Sequence, residues 1–102
     1  AIIQPHRYTR LKTHLHDFAK ATMLADHVYI MPVYSAGEKF DGVDHTSLTT
    51  EAKNLGHKSV CQLDNFFDIR QILSQKLTNN DIAIFLGAGD ISSLARTLME
   101  DI

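Results

Sequence analysis

The sequence predicts an α/β domain with helices on both faces of a mostly parallel sheet. Short apolar, partly β-branched runs alternate with longer segments of helical periodicity, and the alternation reads β-α-β-α-β-α-β-α. Strands separated in this way run parallel and connect by right-handed crossovers. The chain has 102 residues, 44% of them hydrophobic, which suffices for one modest core, so residues 1–102 are expected to form a single domain.

The elements follow in order. Ala1-Ile2-Ile3 reads as the end of a strand whose beginning is missing, and Gln4 to Tyr8 as the turn after it. Thr9 is placed to cap a helix over about residues 10–24, with Leu11, Leu15, Phe18, Ala19 and Met23 on one stripe. His27 to Met31 is a buried-strand pattern ended by Pro32. A polar segment with Gly37 and Gly42 runs on to about Thr46, and loops this long within a compact domain are often functional. Thr46 or Ser47 is expected to cap a helix that buries Leu48, Ala52 and Leu55 and ends at Gly56. Ser59 to Leu63 is the third strand. Asp64 is expected to cap a helix with Phe66, Ile69, Ile72, Leu73 and Leu77 inside, and Asn79 to Asp81 makes the turn after it. Ile82 to Leu86 is the most continuous apolar run and suits a central strand. Gly87-Ala88-Gly89 then leads into a helix with Ile91, Leu94, Ala95, Leu98, Met99 and Ile102 inside.

Composition excludes several functions. Ten Lys plus Arg against twelve Asp plus Glu give a formal net charge of -2, without the basic field that nucleic-acid binding needs. No apolar run approaches the roughly 18 residues that span a bilayer, and the start lacks a signal-peptide layout, so a cytoplasmic protein is expected. Cys61 is the one cysteine, which rules out an internal disulfide; its strand position suggests a buried thiol. The opening Ala and truncated strand suggest a fragment of a longer protein.

Ligands of parallel α/β folds gather at the carboxyl ends of the strands. Three unusual stretches fall there: Gln4 to Arg10, Val33 to Asp44, and Gly87 to Asp90. The first helix start is ringed by His6, Arg7, Arg10 and Lys12, with no acid before Asp17, although a helix N-terminus favours negative charge. A bound anion is the simplest reason, since Arg7 and Arg10 can grip a carboxylate or phosphate; a solvated surface pair is the plain alternative. Gly87-Ala88-Gly89-Asp90-Ile91-Ser92 partly matches a dinucleotide fingerprint, but Ser92 replaces the third glycine and the later acidic residue is absent. A strand-to-helix turn capped by Asp90 fits equally well. The six histidines show no metal-ligand spacing, and His14, His16, His27 and His57 read as surface or packing residues. Tyr34 and Glu38 face either the site or solvent.

Gln4-Pro5-His6-Arg7-Tyr8-Thr9-Arg10, Val33-Tyr34-Ser35-Ala36-Gly37-Glu38 and Gly87-Ala88-Gly89-Asp90-Ile91, in this order, resemble the C-terminal domain of the UDP-N-acetylmuramate–L-alanine ligases, within the Mur ligase family. The resemblance runs along nearly the whole chain. It implies a Rossmann-like third domain of an enzyme of peptidoglycan synthesis, whose N-terminal domain holds the UDP-sugar and whose central domain holds ATP and Mg2+. In such an enzyme ATP phosphorylates the muramoyl carboxylate and L-alanine attacks the acyl phosphate. By the same resemblance His6, Arg7 and Arg10 line the substrate site, with Arg7 and Arg10 on a carboxylate or phosphoryl group and His6 orienting the reacting groups. Gly87, Ala88, Gly89 and Asp90 border the amino acid. The family's Asp-Tyr-Gly-His-His-Pro stretch, phosphate loop and Mg2+ ligands are absent here, so the chain alone is expected to be inactive. A stand-alone α/β module that binds a small anion without catalysis is the alternative, and an NAD-binding module the weaker third reading.

Overall fold

A computed structural model describes residues 1–65, 67–87 and 91–101. Its elements are β1 (Ile2–Ile3), α1 (Tyr8–Thr13), α2 (Leu15–Thr22), β2 (Val28–Ile30), α3 (His45–Asn54), β3 (Val60–Gln62), α4 (Phe67–Lys76), β4 (Phe85–Leu86) and α5 (Ile91–Asp101). The four strands form one sheet in the order β3-β2-β1-β4, and every pairing is parallel. The expected alternation is therefore present, with the first helix divided in two.

Strand periodicity sends successive side chains to opposite faces, and the two halves of the core follow from it. Ile2 and Met31 face α4 and α5, packing with Ile69, Leu73, Ile91 and Leu98. Val28, Ile30 and Val60 face the other helices, packing with Leu11, Ala19, Leu48 and Ala52. The result is a three-layer domain: α1, α2 and α3, then the sheet, then α4 and α5.

Local chemistry explains where the helices begin and end. Thr13 Oγ1 donates to the Thr9 carbonyl at 3.0 Å, a bond to the preceding turn that bends helices, and the break falls at His14. The helix expected over residues 10–24 is thus α1 and α2, and its N-cap is Arg7 instead of Thr9. Asp44, not Thr46 or Ser47, caps α3: its carboxylate accepts from the amides of Thr46 and Ser47, and Ser47 Oγ accepts from the Asp44 amide. Gly56 closes α3 at φ 100°, with its amide bonded to Lys53 and that of His57 to Ala52, the paired bonds of a left-handed helix terminus. Asp64 does not cap α4, because its carboxylate meets His45 Nε2 at 3.2 Å; Asn65 Oδ1 accepts from the Asp68 amide instead.

The apolar run from Ile82 to Leu86 is an edge element and not a central one. Only Phe85–Leu86 pairs, with β1, and Ile82, Ile84 and Leu86 are 84%, 51% and 49% exposed. Their alternate spacing directs them to the face that α1 to α3 leave uncovered over β4, while Ala83 and Phe85 pack into the core beneath α5. Cys61 is exposed, in contrast to the expected buried thiol, because β3 is the other edge of the sheet. Phe66 and Ile102, assigned to inner helix faces from the sequence, lie outside the described residues, as does the side chain of Met99.

Candidate functional site

The sheet order reverses between β1 and β4, the point at which ligands of open parallel sheets collect. Gln4, the first residue after β1, is buried and ties the neighbouring loops together. Its Oε1 accepts from the Ile91 amide at the start of α5 at 3.2 Å, and its Nε2 lies 3.5 Å from the Pro32 carbonyl after β2. Gly87 packs against the same residue. A Cβ there would lie 2.8 Å from Ile91 Cγ2 and 3.0 Å from the Gln4 carbonyl oxygen, so close packing of strand on helix accounts for this glycine without a ligand. Ala88, Gly89 and Asp90 lie outside the described residues.

Beyond Gln4 the chain turns through Pro5, His6 and Arg7 into α1. Arg7 adopts φ 65° and ψ 136°, a region that L residues rarely occupy, at a cost of about 1–3 kcal/mol. The loop after β2 holds it there. The Arg7 amide donates to the Tyr34 carbonyl at 2.7 Å and the Tyr34 amide to the Pro5 carbonyl at 2.8 Å. The rings of His6 and Tyr34 lie nearly parallel, with centroids 5.4 Å apart.

This backbone places His6, Arg7 and Arg10 along one cleft of about 440 Å³, which Thr9, Thr13 and His14 also line. His6 is half-buried; Arg7 and Arg10 are exposed. Among the described residues neither guanidinium has a hydrogen-bond or ion-pair partner. Gly87 does not line the cleft; it packs against Gln4 and Ile91. A second cavity of about 430 Å³ opens at the opposite ends of the strands, lined among others by Lys76, Asp26 and Asp81.

The missing acid at the start of α1 comes from far along the chain. Glu38 Oε2 accepts from the Thr9 hydroxyl at 2.7 Å, and Oε1 from the Thr9 amide at 3.1 Å. These two bonds, with the charge of Arg7 and the Tyr8 amide, hold the Glu38 carboxyl below its usual range. The basic helix start therefore has an internal anion, which the sequence argument for a bound one did not include. Two further contacts fasten the same loop to α1: Lys12 to Asp41 at 3.3 Å, and Tyr8 edge-on to Phe40.

Other histidines have structural partners. His57 Nδ1 accepts from the Ser59 amide while Nε2 donates to the Ala25 carbonyl, which defines a neutral ring with its proton on Nε2. His16 pairs with Glu51 and His27 with Ser59. The described residues contain no group of three His, Cys, Asp or Glu side chains that could hold a metal ion, and no helix among them is long and apolar enough to cross a membrane. Thr13 and His14 also line the cleft and were not singled out for it from the sequence, whereas Gln4 was named only as the start of the Gln4 to Arg10 stretch, without its role in tying the loops. A buried polar residue directly after a strand was the available sign for Gln4.

No family model matches the chain. Curated relatives do, among them three of those named UDP-N-acetylmuramate–L-alanine ligase. That of Desulforapulum autotrophicum is 37% identical over 97% of this chain, that of Rhizorhabdus wittichii 41% over 100%, and that of Buchnera aphidicola 41% over 96%. The chain spans 22%, 22% and 20% of these relatives' lengths, about a fifth of each. Nearly every residue from Ala1 to Ile102 aligns at such identity, so the chain is similar to a segment about one fifth the length of the UDP-N-acetylmuramate–L-alanine ligases.

Proposed function

We propose that this chain is the C-terminal, substrate-facing domain of an ATP-dependent ligase that joins L-alanine to UDP-N-acetylmuramate in peptidoglycan synthesis, in the cytoplasm. One observation carries the reading: two exposed guanidinium groups that make no hydrogen bond or salt bridge among the described residues, Arg7 and Arg10, share a cleft with His6. Arginine binds carboxylate or phosphate oxygens through paired, charge-assisted hydrogen bonds. L-Alanine brings a carboxylate, and an activated muramoyl group brings a phosphoryl group. Both suit this donor set.

In this reading the muramoyl carboxylate takes the terminal phosphoryl group of ATP and ADP leaves; the uncharged amine of L-alanine then attacks the carbonyl carbon, the C–N bond forms, the C–O bond to phosphate breaks, and inorganic phosphate departs with that oxygen while the amine's proton passes to the phosphate or to solvent. Arg7 and Arg10 hold the amino-acid carboxylate or the phosphoryl oxygens, and His6, which lines the same cleft, orients the reacting groups. Holding the two reactants in one geometry lowers the barrier by removing the entropy loss of a bimolecular encounter. Gly87, Ala88, Gly89 and Asp90 are assigned to the neighbouring border of the amino-acid subsite.

The donors present do not fit Mg2+, since the cleft offers cations and no cluster of acids. ATP and its metal are therefore assigned to the central domain, and the UDP-sugar to the N-terminal one. This domain supplies one wall, which closes over the acyl phosphate and keeps water from hydrolysing it.

The test is steady-state kinetics of the complete ligase. Arg7→Ala and Arg10→Ala are expected to raise KM for L-alanine or abolish ligation while thermal melting of the domain stays cooperative. Unchanged kinetics in both variants overturns the assignment. A stand-alone anion-binding module would instead show phosphate binding that L-alanine does not affect.

A further inference from the structure

We infer that Glu38 is a positioning residue of this site, acting through Thr9 and Arg7 on the pose of the two arginines. The inference rests on the ligase reading above and adds to it a residue that touches no substrate.

Glu38 lies 29 residues from Thr9 in sequence and spans α1's start with both carboxylate oxygens, one on the hydroxyl and one on the amide. Each bond fixes a different degree of freedom. The amide bond orients the first turn of α1, and the hydroxyl bond orients Thr9, which itself lines the cleft between Arg7 and Arg10. Glu38 is placed for this by its own turn: its amide donates to the Ser35 carbonyl at 3.0 Å, and Ala36 and Gly37 between them adopt φ 51° and 88°. The same loop supplies Tyr34, whose backbone holds Arg7 at its unfavourable φ. One loop thus controls both ends of the arginine pair, Arg7 through Tyr34 and the turn carrying Arg10 through Glu38.

Charge gives Glu38 a second effect. The carboxylate sits close enough to Arg7 to be depressed by it, and satisfies the helix amide that an incoming anion would otherwise compete for. A substrate carboxylate is left with the side chains of Arg7, Arg10 and His6 as its donors. That restriction favours one docking pose over several, which is what a two-substrate condensation requires.

The test is a set of variants of the complete ligase: Glu38→Gln, Glu38→Ala, Thr9→Val and Arg7→Ala. Glu38→Gln keeps the shape, loses the charge and one of two acceptors, and is expected to raise KM for L-alanine about tenfold with kcat changed much less. Glu38→Ala is expected to raise it further. Thr9→Val, which reaches the same contact from the other side, should raise it less, and the Thr9→Val/Glu38→Gln double variant should be no worse than Glu38→Gln alone. A residue that serves stability alone would lower the melting temperature and leave KM of the folded enzyme unchanged, and that result overturns the inference. If Arg7→Ala raises KM and the Glu38 and Thr9 variants do not, the ligase reading stands and this inference falls. If Arg7→Ala has no effect, the underlying site assignment falls first.

Discussion

Arg7 combines a function-bearing side chain with a backbone that would suit glycine, and the two can be separated by comparing Arg7→Ala with Arg7→Gly. Both variants remove the guanidinium. Only glycine relieves the conformation at φ 65° and ψ 136°, which is pinned on both sides: the residue 7 amide bonds Tyr34, and its carbonyl accepts from the Leu11 amide at 3.2 Å. Relief of strain is worth about 1–3 kcal/mol, and glycine's extra freedom in the unfolded chain returns about 0.5–1 kcal/mol of that. Arg7→Gly should therefore be more stable than Arg7→Ala by about 1 kcal/mol. For a domain near this size that is about 4–8 °C in melting temperature, read by circular dichroism at matched concentration. Equal melting temperatures, or a lower one for Arg7→Gly, would refute a strained residue 7. In the complete ligase both variants should still lose L-alanine affinity, so gain in stability and loss of function would run together.

Three further outcomes are expected. Gln4→Leu leaves the buried Ile91 amide without its acceptor and should cost about 1–3 kcal/mol in urea denaturation; a change within error would mean that another group caps α5. Gly87→Ala drives a methyl group into Ile91 and the Gln4 backbone and should cost about 1–3 kcal/mol by the same measurement, whereas Gly42→Ala, with open space at its Cβ position, should lose stability only through its φ of 84°. Glu38 has a folded pKa below its usual 4.5, so its contribution is fully present above that value and is lost as pH falls through the depressed folded pKa. The Thr9 amide resonance should follow this titration with a midpoint below 4.5, and an unshifted midpoint would contradict the two bonds.

What could be read from the sequence was the part decided by local periodicity. Leu11, Ala19, Leu48, Ala52, Ile69, Leu73 and Leu98 are buried where helical spacing put them, and Val28 and Ile30 where a strand did. Strand order is a tertiary property. An apolar run such as Ile82 to Leu86 records hydrophobicity but not what covers it, and here it lies on an edge with three side chains largely uncovered. Caps failed differently. Thr9, Asp64, Thr46 and Ser47 all have the right chemistry, but residues one to three positions away, or a competing partner such as His45 for Asp64, took the role. The long loop was recognised as unusual, yet nothing local announces that Glu38 reaches Thr9, because that contact exists only once β1 and β2 are paired.

The same contact alters the electrostatic case for the site. From sequence, cations around a helix start called for an external anion, because α1 has no acid in its first turn. Glu38 now meets the demand made by the helix end, and α1, at six residues, contributes little dipole of its own. What Glu38 does not meet is the demand of the side chains: one carboxylate faces three cationic residues on α1 and its entrance, Arg7, Arg10 and Lys12, and Lys12 is the one that Asp41 pairs. Two guanidinium groups remain, both exposed, both on the cleft side, and neither in a hydrogen bond or salt bridge among the described residues. The groups that call for an anion are thus the arginine side chains and not the helix backbone, and their planar donors distinguish a carboxylate or phosphoryl group from a simple counter-ion by geometry as well as charge.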